Sequence, residues 1–132
     1  MTGRRTRRDT GVTRSCRVLV VDDDPLVVAG TAEMLEELGH QAIEASSGLR
    51  ALAVLNTDPA IDVVVTDYAM PGMNGAELAA RIRLAWPHLP VAIISGYAAL
   101  PGVGAELPRL NKPYRRGDLA ALIDSLVDAR QA

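Results

Sequence analysis

Four short apolar runs in this sequence end in, or lead to, a side chain able to do chemistry. Arg17–Val21 runs into Asp22 and Asp23, Val63-Val64-Val65-Thr66 ends in Asp67, Val91–Ile94 closes on Ser95, and Leu107–Leu110 leads to Lys112. Three carboxylates brought together repel one another, and the usual remedy is a hard divalent cation. Magnesium takes six oxygens, keeps several waters and often recruits a phosphoryl oxygen. A hydroxyl and an ammonium on the opposite rim would hold the remaining oxygens of the same group. Such a set reads as a phosphoryl-transfer site with Mg²⁺, provided the fold brings the run ends together.

The elements between these residues predict that it does. The β-branched run at 63–65 suits a strand buried on both faces, with Ile61 to Asp67 as the strand. Asn74 is placed to cap a helix from Ala76 to about Trp86, with Leu78, Ala79 and Ile82 inward. Pro25 fits the first turn of a helix whose stripe is Val27, Thr31, Met34, Leu35 and Leu38, ended by Gly39. Gln41–Ala45 reads as an edge strand, and Gly48–Asn56 as a helix burying Ala51, Leu52 and Leu55. Asp118 is expected to cap a last helix with Leu119, Leu122, Ile123, Leu126 and Val127 on one face. Strands alternating with helices imply a parallel, doubly wound α/β sheet with helices on both faces, whose ligands gather at the carboxyl ends of the strands.

Composition sets the bounds. The chain has 132 residues, 48% of them hydrophobic, a net charge of −2 and one cysteine, Cys16. That is one domain with no internal disulfide, and a lone cysteine fits a reducing compartment. No apolar run approaches the ~20 residues of a membrane span. Six arginines lie within residues 1–17 against one acid, Asp9. Residues 1–15 are therefore expected to be a disordered basic arm, and 16–130 the folded domain. The location expected is the cytoplasm.

The pieces Val20-Val21-Asp22-Asp23-Asp24, Asp67-Tyr68-Ala69-Met70-Pro71-Gly72-Met73-Asn74-Gly75, Ile93-Ile94-Ser95-Gly96 and Asn111-Lys112-Pro113-Tyr114 together resemble the receiver domains of two-component response regulators. The resemblance covers about residues 16–130 and implies a flavodoxin-like, three-layer fold with five parallel strands ordered 2-1-3-4-5. It implies that Asp67 is the phosphoacceptor, taking its phosphoryl group from a sensor histidine kinase or a histidine phosphotransfer protein. It further implies that Asp22, Asp23, Asp67 and the backbone carbonyl of Ala69 serve Mg²⁺. Ser95 and Lys112 would hold the phosphoryl group, and the Lys112–Pro113 bond would be cis. Ala69 and Tyr97 would flank the path of the water that hydrolyses the acyl phosphate.

Two features depart from that pattern. Arg109 stands three residues before the lysine, where the family often has Tyr or Phe. Only sixteen residues separate Ser95 from Lys112, so the helix usual there is expected to be short or absent. The wording around Ser95 is similar to receivers of hybrid sensor kinases and to some stand-alone ones. Twenty residues follow Lys112, enough for one helix and no DNA-binding domain. The reading is thus a phosphoacceptor module rather than a turnover enzyme, monomeric or weakly dimeric, acting through phosphotransfer or a protein contact. One alternative is a receiver excised from a hybrid kinase. A remote one is a haloacid-dehalogenase-type phosphatase with Asp22 as nucleophile, Asp24 as acid/base and Ser95 as the later hydroxyl.

Overall fold

The computed structural model describes residues 15–96 and 107–131. Residues 1–14 of the basic arm, and Tyr97 with the connection through residue 106, lie outside the described residues. The chain runs β1 (Arg17–Val21), α1 (Pro25–Glu37), β2 (Gln41–Ala45), α2 (Gly48–Thr57), β3 (Val63–Asp67), α3 (Gly75–Ala85), β4 (Val91–Ser95), β5 (Arg109–Asn111) and α4 (Arg116–Gln131). The strands form one sheet in the order β2-β1-β3-β4-β5, and every pairing is parallel. The 2-1-3-4-5 order and the doubly wound architecture are those expected.

Alternation along the strands divides the core in two. Val18, Val20, Val63, Val65, Ala92 and Ile94 face α1 and α4, meeting Val28, Leu35, Leu119, Ile123 and Leu126. Leu19, Val21 and Val64 face α2 and α3, meeting Ala51, Leu55, Leu78, Ala79 and Ile82. Successive strand side chains point to opposite faces, so an apolar run with no polar break needs helices on both sides. Each fully buried Leu, Ile or Val contributes about 1.5–3 kcal/mol. This sandwich is the rigid frame on which the strand ends are held.

Four local expectations need correction. The inner stripe of α1 is Val28, Thr31, Ala32 and Leu35. Val27 is only half-buried and faces the strand ends, because the face that packs on the sheet is the one carrying Val28, Thr31, Ala32 and Leu35. β3 begins at Val63 rather than Ile61, since Asp62 is occupied in bonding β1: its N–H donates to the Arg17 carbonyl and its carboxylate accepts the Arg17 N–H. β5 is Arg109–Asn111, shifted past Leu107, after Pro108, whose carbonyl accepts from Ile93 N–H. Asp118 is not the cap residue of α4; it sits in the first turn and its Oδ2 accepts the Arg115 N–H at 2.9 Å. No described helix is long and apolar enough to cross a membrane.

Candidate phosphoryl-transfer site

The carboxyl ends of β1, β3 and β4 place their terminal residues around one cleft of about 420 Å³, with Lys112 on the opposite wall. Asp67 is the last residue of β3 and is buried, with Ile94 beside it in the sheet. Its carbonyl accepts the Thr66 hydroxyl at 2.9 Å. Tyr68 N–H then continues the ladder to the Ile94 carbonyl at 3.0 Å, and Gly75 N–H donates to the Tyr68 carbonyl at 2.8 Å. The loop 68–74 therefore closes on itself, and the first residue of α3 is brought against the back of Asp67. Only glycine fits there: a Cβ on Gly75 would lie 2.4 Å from the Asp67 carbonyl oxygen. Asn74 secures the arrangement with a reciprocal cap, accepting Glu77 N–H at 2.8 Å while Glu77 accepts Asn74 N–H at 2.9 Å.

The acid side of the cleft comes from the turn between β1 and α1. Asp22 is buried, and its Oδ1 accepts Asp24 N–H at 2.9 Å; Asp23 is exposed. Ligand oxygens of Asp22, Asp23 and Asp67 lie within 4.8 Å of one another. Burial holds the Asp22 carboxyl above the ordinary carboxylate range; the Asp24 N–H bond opposes this, the Asp67 and Asp23 charges add to it, and Lys112 subtracts. Two unit charges about 5 Å apart repel by roughly 3 kcal/mol at an effective dielectric near 20. Hard oxygens, crowded and under-compensated, are a donor set that fits Mg²⁺.

The opposite wall carries the hydroxyl and the ammonium. Ser95 ends β4 and is buried, and its carbonyl accepts Lys112 N–H at 2.9 Å, so the two residues are registered by a sheet bond. Lys112 Nζ donates to Asp67 Oδ1 at 3.0 Å. Partial desolvation lowers the lysine pKa, but the bond to Asp67 and the charges of Asp67 and Asp22 outweigh it, and the net shift is upward. Ala69 is exposed on the cleft wall, and the Lys112–Pro113 peptide bond is cis. The structure thus brings Asp22, Asp23, Asp67, Ala69, Ser95 and Lys112 together. Arg109 is half-buried beside Ile93 in β5 and does not line the cleft; Tyr97 is outside the described residues.

The cleft also holds two residues whose places differ from those expected of them. Val27 lines it, for the reason above. Asp24, an acid/base candidate in the phosphatase reading, spends its Oδ1 on capping α1. The signal was present in Asp24-Pro25, an Asp directly before a helix-starting proline.

Residues 18–124 match the family model described as the response regulator receiver domain. The chain belongs to that family. Among curated relatives, this receiver domain is 30% identical to the sensor kinase CckA of Brucella abortus over 95% of the chain and 14% of the kinase. It is 32% identical to the transcriptional regulatory protein TcrA of Mycobacterium tuberculosis, over 94% of the chain and 51% of TcrA. The chain thus spans about half, or much less, of these relatives. Among solved structures, a receiver domain protein of Clostridium thermocellum superposes with a TM-score of 0.81 at 27% identity, covering 88% of this chain and 97% of that one. TrrA of Thermotoga maritima, solved in complex with Mg²⁺-BeF, gives 0.75 at 28% identity over 84% and 98%.

Proposed function

We propose that this receiver domain is a phosphoacceptor that takes a phosphoryl group onto Asp67 from a phosphohistidine of a sensor kinase or phosphotransfer protein. A carboxylate oxygen of Asp67 attacks phosphorus, a P–O bond forms and the P–N bond breaks. The leaving imidazole keeps the electron pair and takes a proton from solvent. Lys112, already 3.0 Å from Oδ1, neutralises the transferred charge, and the Ser95 hydroxyl donates to a phosphoryl oxygen. Asp22, Asp23, Asp67 and the Ala69 carbonyl would hold Mg²⁺, which supplies charge neutralisation for the phosphoryl oxygens. The observation that carries the reading is the juxtaposition of the carboxylate cluster with Lys112 across Asp67.

The domain is a signalling component that is consumed and regenerated, not a turnover enzyme, and its output is phosphotransfer or a protein contact. Arg109 removes the ring that would follow the hydroxyl inward, so output does not run through an aromatic switch at that position. The match to sensor kinase CckA, along nearly the whole of this chain, favours a second reading of its context: the receiver module of a hybrid kinase. In either case acetyl phosphate with Mg²⁺ should label the protein, and EDTA or Asp67→Asn should abolish labelling. Full labelling in EDTA, or of Asp67→Asn, refutes the proposal.

A further inference from the structure

Thr31 and Tyr114, 83 positions apart, share a hydroxyl–hydroxyl hydrogen bond. Thr31 is buried on the inner stripe of α1, and Tyr114 is half-buried against the core between the sheet, α1 and α4. Neither lines the cleft, yet both sit where its two halves are anchored. Lys112 N–H makes the last sheet bond of its segment, to Ser95; the next backbone anchor is Arg115 N–H on Asp118, at the start of α4. Pro113 has no N–H to offer. Between those anchors the Tyr114 hydroxyl ties the segment sideways to α1. That helix grows from the acid turn, where Asp24 caps it and donates its own N–H to Asp22.

We infer that Tyr114 is a positioning residue for Lys112, its hydroxyl bond to Thr31 holding the lysine segment at a fixed distance from the acid half of the site. A lysine side chain is a flexible four-carbon stem with a point charge, so where its ammonium rests depends on where its backbone is held. Phenylalanine at 114 would keep the packing and lose the tie. The catalytic consequence rests on the phosphoacceptor reading; the placement of the ammonium does not.

The test uses the full chain with Tyr114→Phe, Thr31→Val, the double variant and Thr31→Ser, which keeps the hydroxyl. Labelling rate by acetyl phosphate at saturating Mg²⁺ is measured alongside the ¹⁵N-edited ammonium signal of Lys112. Loss of the tie should slow labelling by about three- to tenfold, within what displacement of a reacting group by up to an ångström can do. It should also broaden the ammonium signal. The double variant should be no slower than either single one, because they remove the same bond, and Thr31→Ser should behave as wild type. Wild-type labelling and an unchanged ammonium signal in folded Tyr114→Phe overturn the inference. A wild-type protein that takes no label refutes the phosphoacceptor reading instead, and the ammonium signal then decides the tie by itself.

Discussion

Replacing Gly75 by alanine puts a methyl carbon 2.4 Å from the Asp67 carbonyl oxygen and 3.0 Å from Tyr68 Cα, where ordinary contact begins at 3.4 Å. The atoms met are backbone, so relief requires α3 and the end of β3 to part by about 1 Å, the shortfall in that closest contact. Alanine is the better helix former by at most ~1 kcal/mol, and less at the first helical residue. Overpacking costs typically ~1–3 kcal/mol. The steric effect wins, and a net loss of about 1–2 kcal/mol is expected, read as a fall of roughly 0.5–1 M in the urea midpoint. The moved group is Asp67 itself. A reacting atom misplaced by ~1 Å can cost about a hundredfold in rate, so labelling should fall by one to two orders of magnitude even in fully folded protein. Gly30→Ala is the control. Gly30 lies inside α1 with nothing within 4 Å of its Cβ position, and alanine there should add about 0.5–1 kcal/mol and leave labelling unchanged. If Gly75→Ala is as stable as wild type and is labelled at the same rate, the close approach of α3 to Asp67 has been misjudged.

Three further outcomes follow. Lys112→Ala should bind Mg²⁺ as tightly or more tightly, because a cation beside the carboxylates is lost, while labelling slows; calorimetry showing clearly weaker Mg²⁺ binding contradicts this. Trp86 is a poor reporter for that titration, since it caps the far end of α3, away from the strand ends that hold Asp67. His40 is buried, its Nδ1 accepts Cys16 N–H at 3.2 Å, and burial holds its pKa below the ordinary 6.5, against an opposing pull from Asp124. The unfolded chain then binds the proton more readily, so His40 contributes full stability above about pH 6.5 and loses it as pH falls toward the lower folded value. His40→Asn, which keeps an acceptor and cannot titrate, should flatten the stability profile below pH 6.5; an unchanged slope refutes the assignment. Alanine at 69 cannot orient a water, so phospho-Asp67 should decay slowly, and Ala69→Glu should hasten decay up to tenfold, about 1.4 kcal/mol in barrier. Equal decay in the two proteins removes Ala69 from the water path.

The two-sided core was legible because Val63–Val65 and Val91–Ile94 are uninterrupted apolar strands, as strands covered on both faces are; the strand order came from the family resemblance, since an apolar run does not say which strand lies beside it. Asp22, Asp67 and Ser95 were legible because each terminates such a run. What escaped depends on phase or on distance in sequence. The buried stripe of α1 runs through Val28 rather than Val27, and local periodicity over so short a helix tolerates either choice. Asp118 satisfies a helix start equally well as the cap or within the first turn, and the Arg115 bond decides for the latter. The Thr31–Tyr114 bond and the contact of Gly75 with Asp67 are tertiary, and no pattern along the chain encodes them.

Phosphorus should become bonded to Asp67 and to no other side chain. Borohydride reduces an aspartyl phosphate to homoserine, so the protein labelled with acetyl phosphate and Mg²⁺ can be trapped, digested and mapped by mass. Conversion of residue 67 alone, absent without Mg²⁺ and absent in Asp67→Asn, is the expected outcome. Homoserine at position 22 or 23 with Asp67 intact, or a label that survives Asp67→Asn, would contradict it.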